Sequence, residues 1–373
     1  MIIRISYRNN LLFPIFLLVF TTLRGIVEII ITENNNELPP FLLPLLIFVG
    51  QFIAGFSSHL YSIYKNKSNN KDKPKRHRLI KNHTIQLKDS NTKIIFLVLL
   101  ASFFSFIGTV VRKFKINEEL YAKTLEGRIK SFQIIVSGIL CYITIRIEIY
   151  KHQIFTLIII SICLITIIIF EYIYKDKHPL EESLELSIFF SFFSGFGKAF
   201  LDTIEKYLIE FDYQSPFKLL IYEGFINFFL VLILFFSTHS NPKGNDNKSI
   251  VLLIILLILY FILTGLKNIY RIMTIKLYSP MTRAMTECVL SPAIYLYILW
   301  NYYKIDIKVI ELTHFIVNII CLLIMSICTL IYNDFIVLYC FGLEYNTYRE
   351  IAERSDNNSN DSINDSKEEI DQD

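Results

Sequence analysis

The chain has 373 residues, of which 53% are hydrophobic, 15% aromatic and only 19% charged, and its mean hydropathy is +0.45. That balance excludes an ordinary soluble domain, because a core of this size cannot hide so much apolar surface from water. A net charge of +3 excludes little by itself, and it is the distribution of charge along the chain that informs.

Residues 1–10, with Arg4 and Arg8, are predicted to be a cytosolic amino terminus. The apolar run that follows resembles a secretory signal, but Arg24 and Glu28 fall inside it and no small-x-small cleavage site comes after it. A retained spanning helix is therefore expected over 11–31. Further spans are predicted at 38–61, 94–112, 126–146, 153–174, 184–204, 217–237, 250–271, 280–301 and 310–332. Each is near the roughly 20 residues that cross a hydrocarbon core of about 30 Å. Runs of β-branched residues such as Ile158 to Ile169 read as helix here, because a backbone in lipid must satisfy its own hydrogen bonds. Lys267 and Arg271 read as the close of the eighth span. The expected fold is an all-α polytopic bundle of about ten helices, with one five-helix half over 11–174 and another over 184–332.

Lys and Arg orient such a bundle, since they are retained on the cytosolic side. Ten of the 37 fall in the loop 65–93 alone, which places that loop and both termini in the cytosol; the basic 112–130 connection dissents. The loop reads either as a topological anchor or as a site for anionic lipid. Residues 333–354 mix Phe335, Ile336, Leu338 and Phe341 with Glu344, Arg349 and Glu350, as an amphipathic segment on the cytosolic surface does. The tail 355–373 lacks the apolar content to fold.

An internal echo points to a two-half design. Ile162-Cys163-Leu164 through Tyr174-Lys175-Asp176 closes the fifth span much as Ile320-Cys321-Leu322 through Tyr332-Asn333-Asp334 closes the tenth. An odd number of spans per half inserts the halves in opposite orientations, the arrangement used for alternating access around a midplane site.

Charges at membrane depth are costly, about 2.5 to 3.5 kcal/mol each at the centre of a helix on insertion scales. Arg24 with Glu28, and Arg283 with Glu287, sit at i, i+4 on one helical face, either as ion pairs or facing a shared ligand. Lys198 follows Gly195-Phe196-Gly197, with Asp202 one turn on. Glu223 precedes Gly224 inside the seventh span, and a lone acid there is a candidate proton carrier or cation partner. Gln51, His59, Gln133, Asn268, His314 and Asn318 either line a polar path or bond between helices.

Little supports other chemistry. The six cysteines lack metal-type spacing, and the seven histidines show no His-x-x-x-His or His-Glu pairing. No Gly-x-Ser-x-Gly or phosphate loop occurs, and the one basic run is a predicted loop rather than a folded nucleic-acid module. No catalytic residue, metal or cofactor is expected.

Tyr278-Ser279-Pro280-Met281-Thr282-Arg283 with Glu287 four residues on, Ser131-Phe132-Gln133, Tyr150-Lys151-His152-Gln153, Glu205-Lys206 and Glu223-Gly224 occur in an order and spacing that resemble the drug/metabolite transporter superfamily (EamA-like), near the nucleotide-sugar-transporter-like solute carriers. The resemblance covers most of residues 40–335. It implies ten helices in two inverted five-helix repeats, cytosolic termini and a central solute site. Gln51, Val136 and Asn227 depart from the family's pattern, and Leu266-Lys267-Asn268 does not match its nucleotide motif, which points away from a nucleotide sugar as cargo.

The expectation is a membrane transporter of a small anionic organic solute, with a substrate-binding set of Arg24, Glu28, Gln51, Gln133, Lys198, Glu223, Asn268, Arg283 and Glu287. In this reading Arg283 and Lys198 attract the anion, Glu287 and Glu28 hold those cations or carry protons, and Glu223 gates or couples. The expected partners are the lipid bilayer, the solute, a proton or counter-substrate and a second copy of the chain as a homodimer, with no nucleic acid. An endomembrane is the expected location. The alternative is a non-transporting scaffold or receptor on the same bundle; a lipid-modifying enzyme would need a convergent acid-base or metal set.

Overall fold

A computed structural model of the protein describes residues 12–34, 39, 41–69, 91–116, 129, 131–146, 149–174, 184–237, 250–289, 312–334 and 336. These form ten α-helices: α1 (Leu12–Asn34), α2 (Leu42–Asn69), α3 (Asn91–Ile116), α4 (Phe132–Leu140), α5 (Lys151–Ile173), α6 (Leu184–Glu210), α7 (Pro216–Ser237), α8 (Ile250–Leu277), α9 (Pro280–Cys288) and α10 (Leu312–Tyr332). A π-helical turn, Cys141–Ile145, extends α4. Seven of them, α1, α2, α3, α5, α7, α8 and α10, are long and apolar enough to cross a bilayer. The protein is a polytopic, helical membrane protein. The 27-residue α6 is as long but carries Glu185, Lys198, Asp202, Glu205, Lys206 and Glu210.

Several predicted boundaries move. Helix α2 runs on to Asn69 and α3 begins at Asn91, so both edges of the basic loop 65–93 are helical. Helix α8 continues to Leu277, so Lys267 and Arg271 lie inside it rather than at its end. The amino terminus 1–10, the centre of the basic loop, the second part of the 280–301 span, nearly all of segment 333–354 and the tail 355–373 lie outside the described residues.

The outer faces are apolar, unlike those of a soluble protein, and charges are buried within. Ile143, Ile233, Phe236 and Val251 on outer helix faces are each about two-thirds exposed, whereas Glu28, Gln51, Asp202, Glu205, Glu223, Arg271, Arg283 and Glu287 are buried. Lipid covers the first group, and the second must find partners inside.

The helices pack in matched pairs. Helix α1 lies against α8 and α3 against α6; α2 meets α8 and α3 meets α7; α4 touches α6 and α9 touches α1; α4 packs on α5 and α9 on α10. Each of these pairings becomes the next when every helix is exchanged for the one five places along. The pairs α2 with α7, α4 with α9 and α5 with α10 map onto themselves, whereas α8 against α6, α7 and α9, and α6 against α7 and α9, have no counterpart of similar extent among the described residues.

Glycine permits the closest approach. A Cβ on Gly224 of α7 would stand 2.6 Å from the backbone nitrogen of Phe52 on α2. A Cβ on Gly50 of α2 would stand 3.1 Å from the carbonyl oxygen of Phe261 on α8. Small residues of this kind let helix backbones meet in lipid, where packing replaces the hydrophobic effect.

The corner between α8 and α9 is fixed by two caps. Lys206 of α6 donates from Nζ to the carbonyls of Lys276 (3.2 Å) and Tyr278 (2.7 Å), closing the end of α8. Ser279 Oγ then accepts from the backbone N–H of Thr282 (3.0 Å), with Pro280 opening α9. This corner aims Arg283 and Glu287 inward.

Candidate functional site

Among the buried polar groups lies a cavity of about 110 Å³. Helix α1 contributes Arg24 and Glu28 to its wall, α2 Gln51, α3 Ser105 and Thr109, α6 Lys198 and Asp202, α8 Lys267, Asn268 and Arg271, and α9 Arg283 and Glu287. A space of this volume holds several waters, since one water needs roughly 10–15 Å³ on such a measure.

A continuous network crosses one side of the cavity. Gln51 Nε2 donates to Glu223 Oε2 (2.9 Å), which also accepts a longer bond from Arg271 Nη2 (3.4 Å). Arg271 places Nη1 on Glu205 Oε2 (2.7 Å) and Nη2 on Glu205 Oε1, a two-pronged pair. Its Nη1 also reaches Asp202 Oδ1 (3.2 Å). Asp202 Oδ2 in turn accepts from Arg283 Nη1 (2.8 Å) and Gln133 Nε2 (2.9 Å). Arg283 Nη2 donates to Glu287 Oε1 (3.0 Å), and Lys267 Nζ lies 3.1 Å from that same oxygen. Six helices, α2, α4, α6, α7, α8 and α9, are tied by this chain of groups.

On the α1 side, Arg24 Nη2 lies 3.4 Å from Glu28 Oε2 and donates to Tyr260 Oη (3.0 Å). The guanidinium carbon also stands 5.2 Å from the centre of the Tyr260 ring, a cation–π distance. Tyr260 Oη donates on to Glu28 Oε2 at 3.4 Å.

Of the residues singled out from the sequence, Arg24, Glu28, Gln51, Lys198, Asn268, Arg283 and Glu287 line the cavity. Gln133 and Glu223 stand behind the wall and hold residues that line it. His314 and Asn318 belong elsewhere: His314 Nε2 is 2.9 Å from Glu171 Oε1 between α10 and α5, and Asn318 Nδ2 donates to the His314 carbonyl (3.1 Å). His59 is half-buried and is not part of the cavity wall.

The substrate-binding set drawn from the sequence left out Asp202, Glu205, Lys267, Arg271 and Tyr260. The signal for four of them was helical spacing. Lys198, Asp202 and Glu205 recur at i, i+4, i+7 on α6, and Lys267 and Arg271 at i, i+4 on α8. Reading the eighth span as ending at Arg271 placed both cations at the membrane boundary, which hid the pattern.

The wall itself carries five cations, Arg24, Lys198, Lys267, Arg271 and Arg283, against three carboxylates, Glu28, Asp202 and Glu287. Glu205 and Glu223 complete the balance from behind. Among the described residues no group of three or more His, Cys, Asp or Glu is arranged to hold a metal ion. Comparison with known protein families finds no matching family, and comparison with curated protein sequences finds no match either.

Proposed function

We propose that the protein is a secondary carrier of a small organic anion, working by alternating access in the manner of the drug/metabolite transporter superfamily, with ten spanning helices in two inverted five-helix repeats. The observation that carries the reading is the buried cavity wall with five cations against three carboxylates inside a bundle whose outer faces are apolar. Burying that many charges away from lipid costs far more than an apolar core, and a site for a charged solute accounts for the expense. With Glu205 and Glu223 behind the wall the charges balance, but the groups that face the space are cations five to three, which suits a cargo that brings its own negative charge.

Two further observations support the inverted-repeat part. Exchanging each helix for the one five places along preserves the largest pairings, though not those of α8 with α6, α7 and α9. The α5 and α10 pair also carries a histidine-acid contact at each end: His152 Nε2 lies 3.0 Å from Asp334 Oδ1, and His314 Nε2 lies 2.9 Å from Glu171 Oε1. Each helix supplies the histidine near its start and the acid near its end, as an antiparallel two-fold requires. The cavity takes wall from α1, α2 and α3 of the first half and α6, α8 and α9 of the second, so movement of one half against the other would open it to alternate faces. Cytosolic termini and an endomembrane location belong to the same proposal.

Purified protein in phospholipid vesicles, assayed for uptake of labelled succinate, inorganic phosphate and a sugar phosphate, tests it. Uptake of at least one anion by the native protein, lost in Arg283→Ala of unchanged thermal stability, is the expected result. Flux without any partner protein separates a carrier from a scaffold on the same bundle. Uptake unaffected by Arg283→Ala would remove that residue from the site.

A further inference from the structure

Asp202 is fully buried yet borders the cavity, and its two oxygens are shared out among three other helices. Oδ1 accepts from Arg271 of α8, and Oδ2 accepts from Arg283 of α9 and Gln133 of α4. Two guanidinium groups and an amide thus converge on one carboxylate, which is the donor geometry that recognises a carboxylate or phosphate on a ligand. The seat does not depend on its occupant. Glu205 holds Arg271 through both η nitrogens, and Glu287 holds Arg283. Further donor capacity is unused there: Arg283 Nε is buried with no hydrogen-bond partner among the described residues.

Resting on the anion-carrier reading, we infer that Asp202 is a tethered competitor for the solute. In the unloaded protein its carboxylate fills the seat between Arg271, Arg283 and Gln133, and cargo binds by presenting its own carboxylate or phosphate to those donors as Asp202 leaves. Lys198 lies one turn earlier on the same helix and on the same wall, within reach of the displaced carboxylate. The device has two consequences. The unloaded carrier keeps its cations neutralised and can reorient, and the apparent affinity for cargo is lowered by the fraction of time Asp202 occupies the seat.

The test measures binding of succinate and of inorganic phosphate to the full-length protein in detergent, by titration calorimetry and by ligand-induced thermal stabilisation. The two probes distinguish a carboxylate cargo from a phosphate one. Asp202→Asn withdraws the competing charge from the seat, and at least one probe is expected to bind it tenfold or more tightly than it binds the native protein. Glu28→Gln removes one negative charge from the same wall away from the seat, and a gain under threefold is expected. Equal gains in the two variants would reduce the effect to the general field of the cavity and overturn the inference, as would no gain in Asp202→Asn. Should Asp202→Asn not fold, the native protein solved with bound succinate decides: its carboxylate on Arg271 and Arg283 with Asp202 displaced supports the inference, and succinate bound with Asp202 still seated overturns it. Failure of both probes to bind any form would instead sink the anion-carrier reading beneath it.

Discussion

Arg271 of α8 and Glu205 of α6 meet through two parallel hydrogen bonds, fully buried, and this pair joins the acid cluster of α6 and α7 to the cavity wall. Removing one partner leaves the other charge buried without its counterpart, which typically costs 3–5 kcal/mol, whereas replacing both with apolar residues of similar volume is often close to neutral. Glu205→Gln and Arg271→Met are therefore each expected to lower thermal stability in detergent by an amount of about that size. The double variant Glu205→Leu/Arg271→Met is expected to recover part of it, since Glu223 and Asp202 still lose Arg271, and to fail in vesicle uptake. A double variant as unstable as the singles would show that the pair contributes through contacts other than its charges.

The approach of α7 to α2 depends on Gly224. Gly224→Ala puts a Cβ into the backbone of Phe52, which has nowhere to yield, and the expected loss is about 1–3 kcal/mol. Gly25→Ala is the contrast, because a Cβ there meets nothing within 4 Å and an alanine favours the helix. Thermal unfolding of the two variants side by side checks the difference, and equal stability would place α2 and α7 farther apart.

Tyr260 ties the α1 pair to α8, bonding Arg24 at 3.0 Å and Glu28 at 3.4 Å. Tyr260→Phe keeps the ring under the guanidinium and deletes only the hydroxyl. A loss of about 1–2 kcal/mol is expected, with weaker uptake because Arg24 is no longer held at the wall. A double-mutant cycle with Glu28→Gln measures the coupling, and additive effects would show that the hydroxyl does not link the two residues.

Lys206 and Ser279 set the direction of α9 from a distance. Lys206→Met withdraws the donor from the last carbonyls of α8 and leaves Glu210, 2.7 Å away, without its ion-pair partner. Ser279→Ala removes the cap of α9, at a cost of about 1 kcal/mol. Both are expected to reduce uptake more than stability, since neither residue lines the cavity but Arg283 depends on the corner they hold. Unchanged uptake in both would show that α9 is oriented by its contacts with α4 and α10 instead.

How much of the site is legible before folding depends on the range of each contact. The i, i+4 pairs on α1 and α9 are local, and the fold keeps both, at 3.4 and 3.0 Å. Asp202 bonds Arg283 across 81 residues and Arg271 across 69, and no periodicity within one helix can announce such a partner. The internal echo at the ends of the fifth and tenth spans was visible as residues. That α5 and α10 lie together with a histidine-acid contact at each end was not.

Membrane residence and the helices follow from the order of residues alone, because hydropathy is a local sum and a backbone in lipid has helix as its answer; the depth of Lys267 and Arg271 does not, since α8 continues past them. Which charges become partners was decided only by tertiary structure. A helix buries whichever face its neighbours present a fit for, and its rotation, along with the glycine contacts that set its distance, depends on residues far away in the chain. Asp202, an unremarkable acid one turn after a lysine in sequence, becomes the junction of four helices for that reason.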